Sequence, residues 1–528
     1  MFQSPYPRID IPDASIYDDL FGSLDEADLD RVALIDPTSG AETTYGALRA
    51  QVDAFAGALA ARGVDTETVV AVLCPNVPAF ATVFHGILRL GGVVTTINSL
   101  YTAHEIENQI RDAEATWLVT VSPLLGPAAE AARAAGIPDE RAIVLDGVEG
   151  HPDLRSLLAE GRTPPEVSFD PSTHVAVLPY SSGTTGNPKG VMLTHRNLVA
   201  NVHQCRVVID LQREDRVLAV LPFFHIYGMT VLLNLALRQR ASLVTMPRFD
   251  LVDFLRNIQD YRCTFLFIAP PIAVALAKHP VVDDFDTTSV RTIFSGAAPL
   301  DGETAEAAAR RMGARILQGY GMSELSPVSH AVPDDRVDMP ASSVGVLVPN
   351  VDAKLIDPET GAEIEEHGDD GLTLPGEIWV RGPNVMLGYL NRPDATEETL
   401  DADGFLHTGD IGVHHVSGYF SIVDRLKELI KYKGYQIAPA ELEALLLSHP
   451  RIMDAAVIGV DDDDKQEIPK AFVVAAPDSG LTAEEVMAFV AAEVAPHKKV
   501  RRVEFIDAIP KSTSGKILRK DLRARERG

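Results

Sequence analysis

The chain has 528 residues, of which 46% are hydrophobic and 23% charged, a composition typical of a globular protein with several units of about 150 residues each. The formal net charge of -28 argues against general binding to nucleic acids or anionic membranes, because both need a basic surface. The three cysteines (Cys74, Cys205 and Cys263) form no CxxC or metal-ligand spacing, so we expect reduced thiols and a cytoplasmic location. We predict no signal peptide, no peroxisomal address, no segment that spans a bilayer and no stable association with membranes.

Helix-like and strand-like segments alternate along the first part of the chain. Residues Tyr45–Arg62 and Ala79–Leu90 carry apolar side chains at helical spacing, whereas Thr68–Cys74, Val93–Thr96 and Thr116–Val121 are short apolar runs rich in β-branched residues. This alternation predicts an α/β fold with buried parallel strands.

The pattern changes from residue 342 onward, where glycines become frequent and the strand-like runs become short. Four such runs predict an antiparallel or barrel-like region: Lys354–Ile356, Gly376–Arg381, Gly412–Val416 and Tyr419–Val423.

A charged, exposed-looking step at residues 424–427 predicts a boundary between an N-terminal domain (1–424) and a C-terminal domain (425–528). The predicted C-terminal elements are helix Pro439–Leu447, strand Ile452–Val460, strand Ala471–Ala476, helix Ala483–Val494 and strand Val503–Ile506. Between Lys498 and Arg527 there are eleven Lys or Arg residues against four Asp or Glu. This basic stretch is either a solvated tail or a tail that meets the phosphates of a nucleotide or coenzyme.

The segment from Tyr180 to Gly190 (YSSGTTGNPKG) follows the apolar run Val175–Leu178 and precedes a helix-like run that begins near Thr194. Its small residues let several backbone N–H groups face one point, and its side chains add hydroxyl donors and a positive charge from Ser181, Ser182, Thr184, Thr185 and Lys189. The spacing is not that of a Walker A loop, because Lys189 follows Pro188 and precedes Gly190. The segment therefore predicts a loop that wraps phosphate groups.

Seven further motifs follow this loop: LPFFHIYG (221–228), SGAAPL (295–300), QGYGMSE (318–324), GEIWVRGPNVMLGY (376–389), GFLHTGDI (404–411), VDRLKELIKYKGYQIAPAELE (423–443) and IPKSTSGKILRK (509–520). In this order they resemble the motifs of the acyl-adenylate-forming (AMP-binding) superfamily, which includes acyl-CoA synthetases, luciferases and adenylation domains of peptide synthetases. The phrases KELIKYKG and IAPAELE are most similar to the 4-coumarate–CoA ligase branch.

The resemblance implies an α/β fold in which a large N-terminal domain, made of two α/β subdomains and a small β-barrel-like subdomain, precedes a small mobile α+β domain that turns about Lys427. It also implies an ATP-dependent acid–CoA ligase. The acid and ATP would give acyl-AMP and pyrophosphate, and CoA would then displace AMP. ATP, Mg²⁺ and CoA are the expected cofactor and co-substrates, the other partner is a small carboxylic acid, and a monomer or homodimer is expected.

Residue roles come from the positions that match the family motifs. Lys516 would stabilise the transition state at the α-phosphate, and His225 would gate or orient the acid. Ser323, where the family usually has Thr, would supply a hydroxyl. Mg²⁺ would be held by Glu324 and Thr185. Nucleotide contacts are expected from Ser181, Ser182, Gly183, Thr184, Thr185, Gly186, Lys189, Ala297, Gln318, Gly319, Tyr320, Asp410, Arg425, Lys431 and Gln436. CoA contacts are expected from Arg248, Lys433 and Gly434.

The pocket for the acid is the least specific part of the resemblance. Its expected lining is Tyr227, Gly228, Val231, Ala297, Gly319, Leu325, Ser326, Pro327 and Val328. Plant coumarate ligases tend to have Ala-Gly where Leu325 and Ser326 stand, and the larger pair would narrow or reshape the pocket. We expect a hydroxycinnamate-like aromatic acid. The alternatives are a medium- or long-chain fatty acid and an acceptor that is the pantetheine of a carrier protein. A luciferase-type monooxygenase or a nucleotide-binding protein without catalysis fits the motifs less well.

Overall fold

The computed structural model describes residues 1–181, 188–336, 338–432, 435–462, 467–477, 479–512 and 515–526, with the backbone alone for 435 and 436. The strands are β1 (Phe2–Gln3), β2 (Val32–Asp36), β3 (Ala41–Thr44), β4 (Val69–Leu73), β5 (Val93–Thr96), β6 (Trp117–Thr120), β7 (Ala142–Val144), β8 (Val175–Val177), β9 (Tyr180–Ser181), β10 (Lys189–Thr194), β11 (Arg216–Ala219), β12 (Ser242–Thr245), β13 (Phe265–Ile268), β14 (Thr292–Ser295), β15 (Arg315–Gly321), β16 (Val328–Ala331), β17 (Val346–Leu347), β18 (Asp352–Ile356), β19 (Gly376–Arg381), β20 (Gly388–Tyr389), β21 (Leu406–His414), β22 (Phe420–Arg425), β23 (Ile430–Tyr432), β24 (Tyr435–Ile437), β25 (Ile452–Asp461), β26 (Glu467–Ala475) and β27 (Arg502–Phe505).

The α-helices are α1 (Glu26–Leu29), α2 (Tyr45–Ala60), α3 (Pro78–Arg89), α4 (Ala103–Asp112), α5 (Leu125–Ala134), α6 (Leu154–Ala159), α7 (His195–Val208), α8 (Leu235–Gln239), α9 (Leu251–Tyr261), α10 (Pro270–Lys278), α11 (Gly302–Met312), α12 (Pro393–Thr399), α13 (Pro439–Ser448), α14 (Ala483–Glu493) and α15 (Arg519–Glu526). Two π-helical segments (Asp18–Gly22 and Tyr227–Asn234) and a 3₁₀ turn (Ser323–Leu325) also bear on the site. No helix in the described ranges has both the length and the hydropathy that a membrane span requires.

Two large sheets with helices between their strands form the first part of the molecule. One has the order β17-β16-β15-β14-β13-β11-β12-β2-β3, and the other has the order β20-β10-β8-β5-β4-β6-β7, with β9 paired to β10. Their inner strands are parallel and buried, as in β13, where every residue from Phe265 to Ile268 is buried. Short apolar runs are the sequence signature of strands covered on both faces, so the predicted α/β fold with parallel strands is confirmed.

The parallel strands bring their carboxyl ends to one edge of the first sheet. Ile268, Ser295 and Gln318 are in register on β13, β14 and β15, so the loops that follow these strands open on the same side. In open α/β sheets this edge is where ligands bind. The motifs SGAAPL and QGYGMSE, at residues 295–300 and 318–324, both lie there.

The barrel-like prediction for residues 342–422 is confirmed as a five-stranded antiparallel sheet of order β1-β18-β19-β21-β22. Two details differ from the sequence prediction. β1 at the chain start supplies the edge strand, and β21 begins at Leu406, six residues before the predicted run Gly412–Val416, so Asp410 lies inside a strand. The step at 424–427 is only partly exposed, because Asp424 is buried and accepts backbone N–H bonds from Arg425 and Ala440.

The last hundred residues form a three-stranded sheet (β25-β26-β27), the hairpin β23-β24 and the helices α13 to α15, with a hydrophobic core of their own. Several arginines of the basic stretch are paired with carboxylates of the same segment, and its predicted contact with phosphates stays a prediction. Arg519 makes two hydrogen bonds of 2.7 Å to Glu443, Arg523 pairs with Glu428, and Arg525 pairs with Glu504. These pairs hold α15 against the rest of the segment.

Candidate active site

The structure describes only the two ends of the phosphate loop (180–190), up to residue 181 and from residue 188. Ser181 and Lys189 are register partners in the β9–β10 pair and therefore lie side by side. The predicted contacts Ser182, Gly183, Thr184, Thr185 and Gly186 lie outside the described residues. The Lys189 ammonium lies 4.7 Å from the centre of the Tyr389 ring, a cation–π distance.

Glu324 lies in the 3₁₀ turn that follows β15, and its side chain is almost fully buried. Oε1 accepts a hydrogen bond of 2.9 Å from the Tyr389 hydroxyl. No described residue donates a hydrogen bond to Oε2. A buried carboxylate with one unengaged oxygen fits a Mg²⁺ ligand, because Mg²⁺ prefers carboxylate oxygen. Ser323 precedes Glu324 in the same turn, and the second predicted ligand, Thr185, lies outside the described residues.

Three predicted nucleotide residues meet at Asp410. The Tyr320 hydroxyl donates a hydrogen bond of 2.6 Å to Asp410 Oδ2, and Arg425 Nε lies 3.3 Å from Oδ1. Asp410 and Arg425 are register partners on β21 and β22, so the sheet fixes this pair. Burial and the Asp410 carboxylate raise the pKa of Tyr320 well above its usual value, which keeps its hydroxyl a donor. The arrangement offers a carboxylate and an aromatic ring to a nucleoside.

Lys516 reaches this cluster from the far end of the chain. Burial, followed by the positive charge of Arg425, lowers the pKa of Lys516 to about 8, while Asp410 and Glu324 act in the opposite direction. These opposing effects place the ammonium within electrostatic reach of both carboxylates. The sequence predicted that these residues act together although 90 to 190 positions separate them from Lys516, and the fold brings them together.

His225 lies within electrostatic reach of Lys516. Burial and then the positive charge of Lys516 lower the pKa of His225 to about 4, so its ring is neutral at physiological pH. The Tyr227 backbone N–H donates to His225 Nδ1 at 3.3 Å, which assigns the ring proton to Nε2. His225 is therefore a neutral hydrogen-bond donor beside a lysine.

An aromatic cluster stands behind the sheet edge next to His225. The Tyr227 hydroxyl donates to the Phe294 carbonyl at 3.1 Å, and the rings of Tyr227, Phe267 and Phe294 follow one another at centroid distances of 6.3 and 5.9 Å. A Cβ atom at Gly296 would lie 3.0 Å from the Tyr227 ring, and one at Gly319 would lie 2.8 Å from the Phe294 ring. Only glycine lets the strand ends approach the rings this closely.

Other predicted acid-pocket residues face protein rather than this cluster. Leu325 is fully buried in the main core, as is Val231 in the π-helix. The Ser326 hydroxyl donates to the Asn384 carbonyl at 2.8 Å, and the Val328 N–H donates to Asn201 Oδ1. Pro327 lies between them. Their predicted role in acid binding stays a prediction.

Two predicted nucleotide residues are associated with the loop after β14, Ala297 as part of it and Gln318 from the neighbouring strand β15. The Gln318 side chain donates hydrogen bonds to the carbonyls of Leu300 and Ala341 and accepts one from the Leu300 N–H. It therefore anchors the loop after β14. Ala297 is exposed in the same loop, with a φ of 71°.

The remaining predicted residues are exposed or lie outside the described ranges. Arg248 is exposed in the loop after β12, Lys427 is exposed in the turn after β22, and Lys431 is exposed with its N–H bonded to Glu467. Lys433, Gly434 and the Gln436 side chain lie outside the described residues.

Sequence reasoning assigned no role to Tyr389, although it lies inside the motif GEIWVRGPNVMLGY. Its contacts to Glu324 and Lys189 come from the antiparallel pairing of β20 with β10, which sets Tyr389 opposite Val191. The sequence feature that could have pointed to this role is the position of the tyrosine, after Gly388 at the end of a recognised motif.

Comparisons with known proteins identify the family of this chain. The family model for AMP-binding enzymes matches residues 24–390, and the model for the C-terminal domain of AMP-binding enzymes matches residues 441–516. The chain is 41% identical to 4-coumarate–CoA ligase 5 of Oryza sativa subsp. japonica, over 99% of this chain and 97% of the relative. It is 40% identical to 4-coumarate–CoA ligase 1 of Solanum tuberosum, over 99% and 96%.

Solved structures also match over nearly the whole length of this chain. An anthranilate CoA ligase in complex with anthranoyl-AMP superposes with a TM-score of 0.89 at 25% identity, covering 98% of each chain. ATP-bound MatB from Rhodopseudomonas palustris superposes with a TM-score of 0.86 at 30% identity, covering 97% of this chain and 99% of that one. Family models, whole-chain relatives and fold coincide, and the chain therefore belongs to the AMP-binding enzyme family, as an AMP-forming ligase of the acid–CoA type.

Proposed function

We propose that this ligase activates a hydroxycinnamate-like aromatic acid with ATP and transfers the acyl group to CoA. In the first step a carboxylate oxygen of the acid attacks the α-phosphorus of ATP, and the bond from this phosphorus to the bridging oxygen breaks, releasing pyrophosphate. In the second step the CoA sulfur attacks the acyl carbon, AMP leaves, and the thiol proton passes to solvent. Atoms and charges balance without a further reactant.

The observation that carries the two-step chemistry is that the buried Lys516 ammonium lies within electrostatic reach of Asp410, Arg425 and Glu324. Attack of a carboxylate on a phosphate brings two anions together, so a desolvated cation at the α-phosphate is needed. Asp410 and Tyr320 would hold the ribose and adenine, and Ser181 and Lys189 with the loop between them would hold the leaving pyrophosphate. Glu324 would hold Mg²⁺, which when bound neutralises phosphate charge.

The aromatic acid is supported by the cluster of Tyr227, Phe267 and Phe294 behind Gly296 and Gly319. Flat rings packed behind glycines favour a flat ligand at this sheet edge, since ring faces and edges attract one another. The names of several relatives agree, because they are ligases of 4-coumarate, anthranilate and benzoate. The neutral His225, with its proton on Nε2, would orient the carboxylate of the acid by donating to it.

The second step is proposed to use another arrangement of the molecule. The segment from residue 425 onward would turn about Lys427 as a domain of its own, withdraw Lys516 and bring Lys433 and Gly434 to the thiol path, with Arg248 on the CoA nucleotide. Lys427 supports this by being exposed in a turn that joins two sheets, which is typical of hinge residues. We propose a cytoplasmic location, where ATP and CoA are available and three buried free thiols remain reduced.

One screen tests the proposal: pyrophosphate release with ATP, Mg²⁺ and CoA in the presence of 4-coumarate, cinnamate, benzoate, octanoate or palmitate. We expect release with 4-coumarate or cinnamate to exceed release with either fatty acid by at least about ten-fold in kcat/KM, roughly the discrimination that one hydrophobic pocket achieves. Preference for octanoate or palmitate would reject the aromatic acid but keep the ligase. Full activity with pantetheine in place of CoA would favour a carrier-protein acceptor.

A further inference from the structure

Helix α10 contacts the C-terminal segment at both of its ends. At its beginning, a Cβ atom at Gly515 would lie 2.9 Å from Pro271 Cδ and 3.1 Å from Ala269 Cβ, so the residue before Lys516 rests on the start of the helix. At its end, Lys278 Nζ donates to the carbonyl oxygens of Leu447 and Ile452 at 2.9 and 3.1 Å. The two contacts are about 10 Å apart along the helix, at 1.5 Å per residue.

The two carbonyls that bind Lys278 belong to the end of α13 and the start of β25. The last carbonyls of a helix have no partner within the helix and carry partial negative charge, so a lysine that reaches them is stabilising. Lys278 is half-buried, and its positive charge is attracted by Asp301 of its own part of the chain and by Asp454 of β25. A buried charge of this kind is costly unless it is paired, so the contact favours the docked arrangement.

Asp454 also connects this contact to the lysine loop. Lys511 Nζ lies 2.6 Å from Asp454 Oδ2, and Lys511 pairs across the base of the loop with Ile517, next to Lys516. Asp454 thus attracts the charge of Lys278 and also pairs with Lys511 at the base of the loop that carries Lys516. Asp454, Lys511 and the carbonyl partners of Lys278 all lie beyond residue 424, so movement of the segment would break the hydrogen bonds of Lys278 and keep the Lys511–Asp454 pair.

We propose that Lys278 is a positioning residue for adenylation, which holds the C-terminal segment against α10 so that Lys516 stays at the nucleotide site. This inference rests on the two-step function proposed above. Among the residues that the structure describes, Lys278 is bonded to no predicted substrate contact, and it acts through the placement of Lys516. In the thioester-forming arrangement the contact is absent, and its loss should not slow that step.

The test uses the full-length enzyme and the variants Lys278→Met, which removes the donors, and Lys278→Arg, which keeps a charge and several donors. The matched control is Lys354→Met. Lys354 is also partly buried, and its contacts to Glu363 and the Phe405 ring lie within residues 1–424. The two half-reactions are measured separately, as acid-dependent exchange of pyrophosphate into ATP and as conversion of supplied acyl-AMP and CoA to thioester.

We expect Lys278→Met to lower the exchange rate about ten-fold, the usual effect of losing hydrogen bonds from a charged donor, with thioester formation unchanged or faster. Lys278→Arg should restore most of the exchange, and Lys354→Met should change neither step. Unchanged exchange in Lys278→Met, or an equal loss in both steps, would overturn the proposal.

A distance measurement separates this inference from the proposed function, because it needs ATP but no turnover. Spin labels are attached to cysteines introduced at the exposed positions Glu397 and Glu484. The three native cysteines are buried and therefore do not compete for the label. With ATP, the wild type and Lys354→Met should share one main distance, and Lys278→Met should lose population from it. If the wild type shows no acid-dependent exchange, the proposed function fails. If Lys278→Met keeps the wild-type distance distribution, the role of Lys278 fails.

Discussion

The Tyr389 hydroxyl donates a hydrogen bond of 2.9 Å to Glu324 Oε1, and the ring of the same tyrosine lies 4.7 Å from the Lys189 ammonium. One side chain thereby joins a lysine at the end of the phosphate loop to the carboxylate proposed to hold Mg²⁺. Burial, reinforced by the Glu324 carboxylate, raises the pKa of Tyr389 far above its usual value, so the hydroxyl remains a donor. The arrangement fixes Glu324 with one oxygen turned away from tyrosine.

Tyr389→Phe should weaken the site for the metal without removing a predicted ligand. Loss of a hydrogen bond to a carboxylate costs about 1.5–3 kcal/mol, so we expect the concentration of Mg²⁺ needed for half-maximal adenylation to rise about ten-fold. Binding of Mn²⁺ in the presence of ATP, followed by electron paramagnetic resonance, should weaken in parallel. The control is Tyr45→Phe, which removes a buried hydroxyl that donates to the Ala241 carbonyl at 2.7 Å in the core. Equal metal dependence in both variants would contradict the role of Tyr389.

Lys516→Ala should separate the two half-reactions. Without the cation the α-phosphoryl charge is not offset, and we expect acid-dependent pyrophosphate exchange to fall by at least about a hundred-fold, as when a charge-stabilising donor is removed. Thioester formation from supplied acyl-AMP should continue. An equal loss of rate in both steps would contradict a role of Lys516 that is confined to adenylation.

The pH dependence of adenylation should show an alkaline limb. Because the pKa of Lys516 is lowered to about 8, its ammonium is protonated below that pH and loses its charge as the pH rises through it. We expect kcat/KM for adenylation to fall above about pH 8, since this parameter reports the free enzyme. Lys516→Arg, whose guanidinium stays charged, should be slower but without this limb. A wild-type profile that stays flat to pH 9.5 would contradict the assignment.

Gly296→Ala tests the aromatic cluster. Its Cβ would lie 3.0 Å from the Tyr227 ring, so the ring has to shift, and overpacking of this kind costs about 1–3 kcal/mol. We expect KM for the aromatic acid to rise about ten-fold while KM for ATP changes little. Gly126→Ala is the control, because a Cβ there meets nothing within 4 Å. A larger effect on ATP than on the acid would place Gly296 in the nucleotide site instead.

Buried histidines should make the fold sensitive to mild acid. Burial lowers the pKa of His85 to about 4 and those of His195 and His330 to about 3, below the value of about 6.5 in an unfolded chain. The unfolded state then binds more protons below pH 6.5, so the free energy of unfolding falls as the pH drops from 6.5 toward 4. The slope is at most about 1.4 kcal/mol per pH unit for each histidine.

Urea unfolding at pH 7 and pH 5 measures this slope. His85→Gln should unfold more easily at pH 7, because it alters the contacts to Ala81 and Asn234, but should lose less stability between the two pH values. An identical slope in the wild type and the variant would show that His85 binds protons equally in the folded and unfolded states, which would contradict its lowered pKa.

Local patterns in the amino-acid sequence were enough to predict most of the elements and the family. Apolar periodicity is a local property, so α2, α3 and the buried strands were predicted within a few residues of their observed bounds. The motifs predicted the residues of the candidate site for the same reason. Each motif is a short continuous string that contains the residue types needed for its chemistry. Prediction was weakest where a side chain's surroundings come from distant parts of the chain. Asp424 belongs to a charged segment that was expected to be exposed, but its side chain is buried.

Which side chains contact one another depends on how the distant elements pack. The pairing of β21 with β22 sets Arg425 opposite Asp410, β20 against β10 carries Tyr389 to Glu324 and Lys189, and α10 meets the loop of Lys516 and the end of α13. These contacts join residues tens to hundreds of positions apart, and no local propensity encodes them. They follow from strand register and from packing of separate hydrophobic faces, which is why the roles of Tyr389 and Lys278 emerge from the fold and not from the motifs.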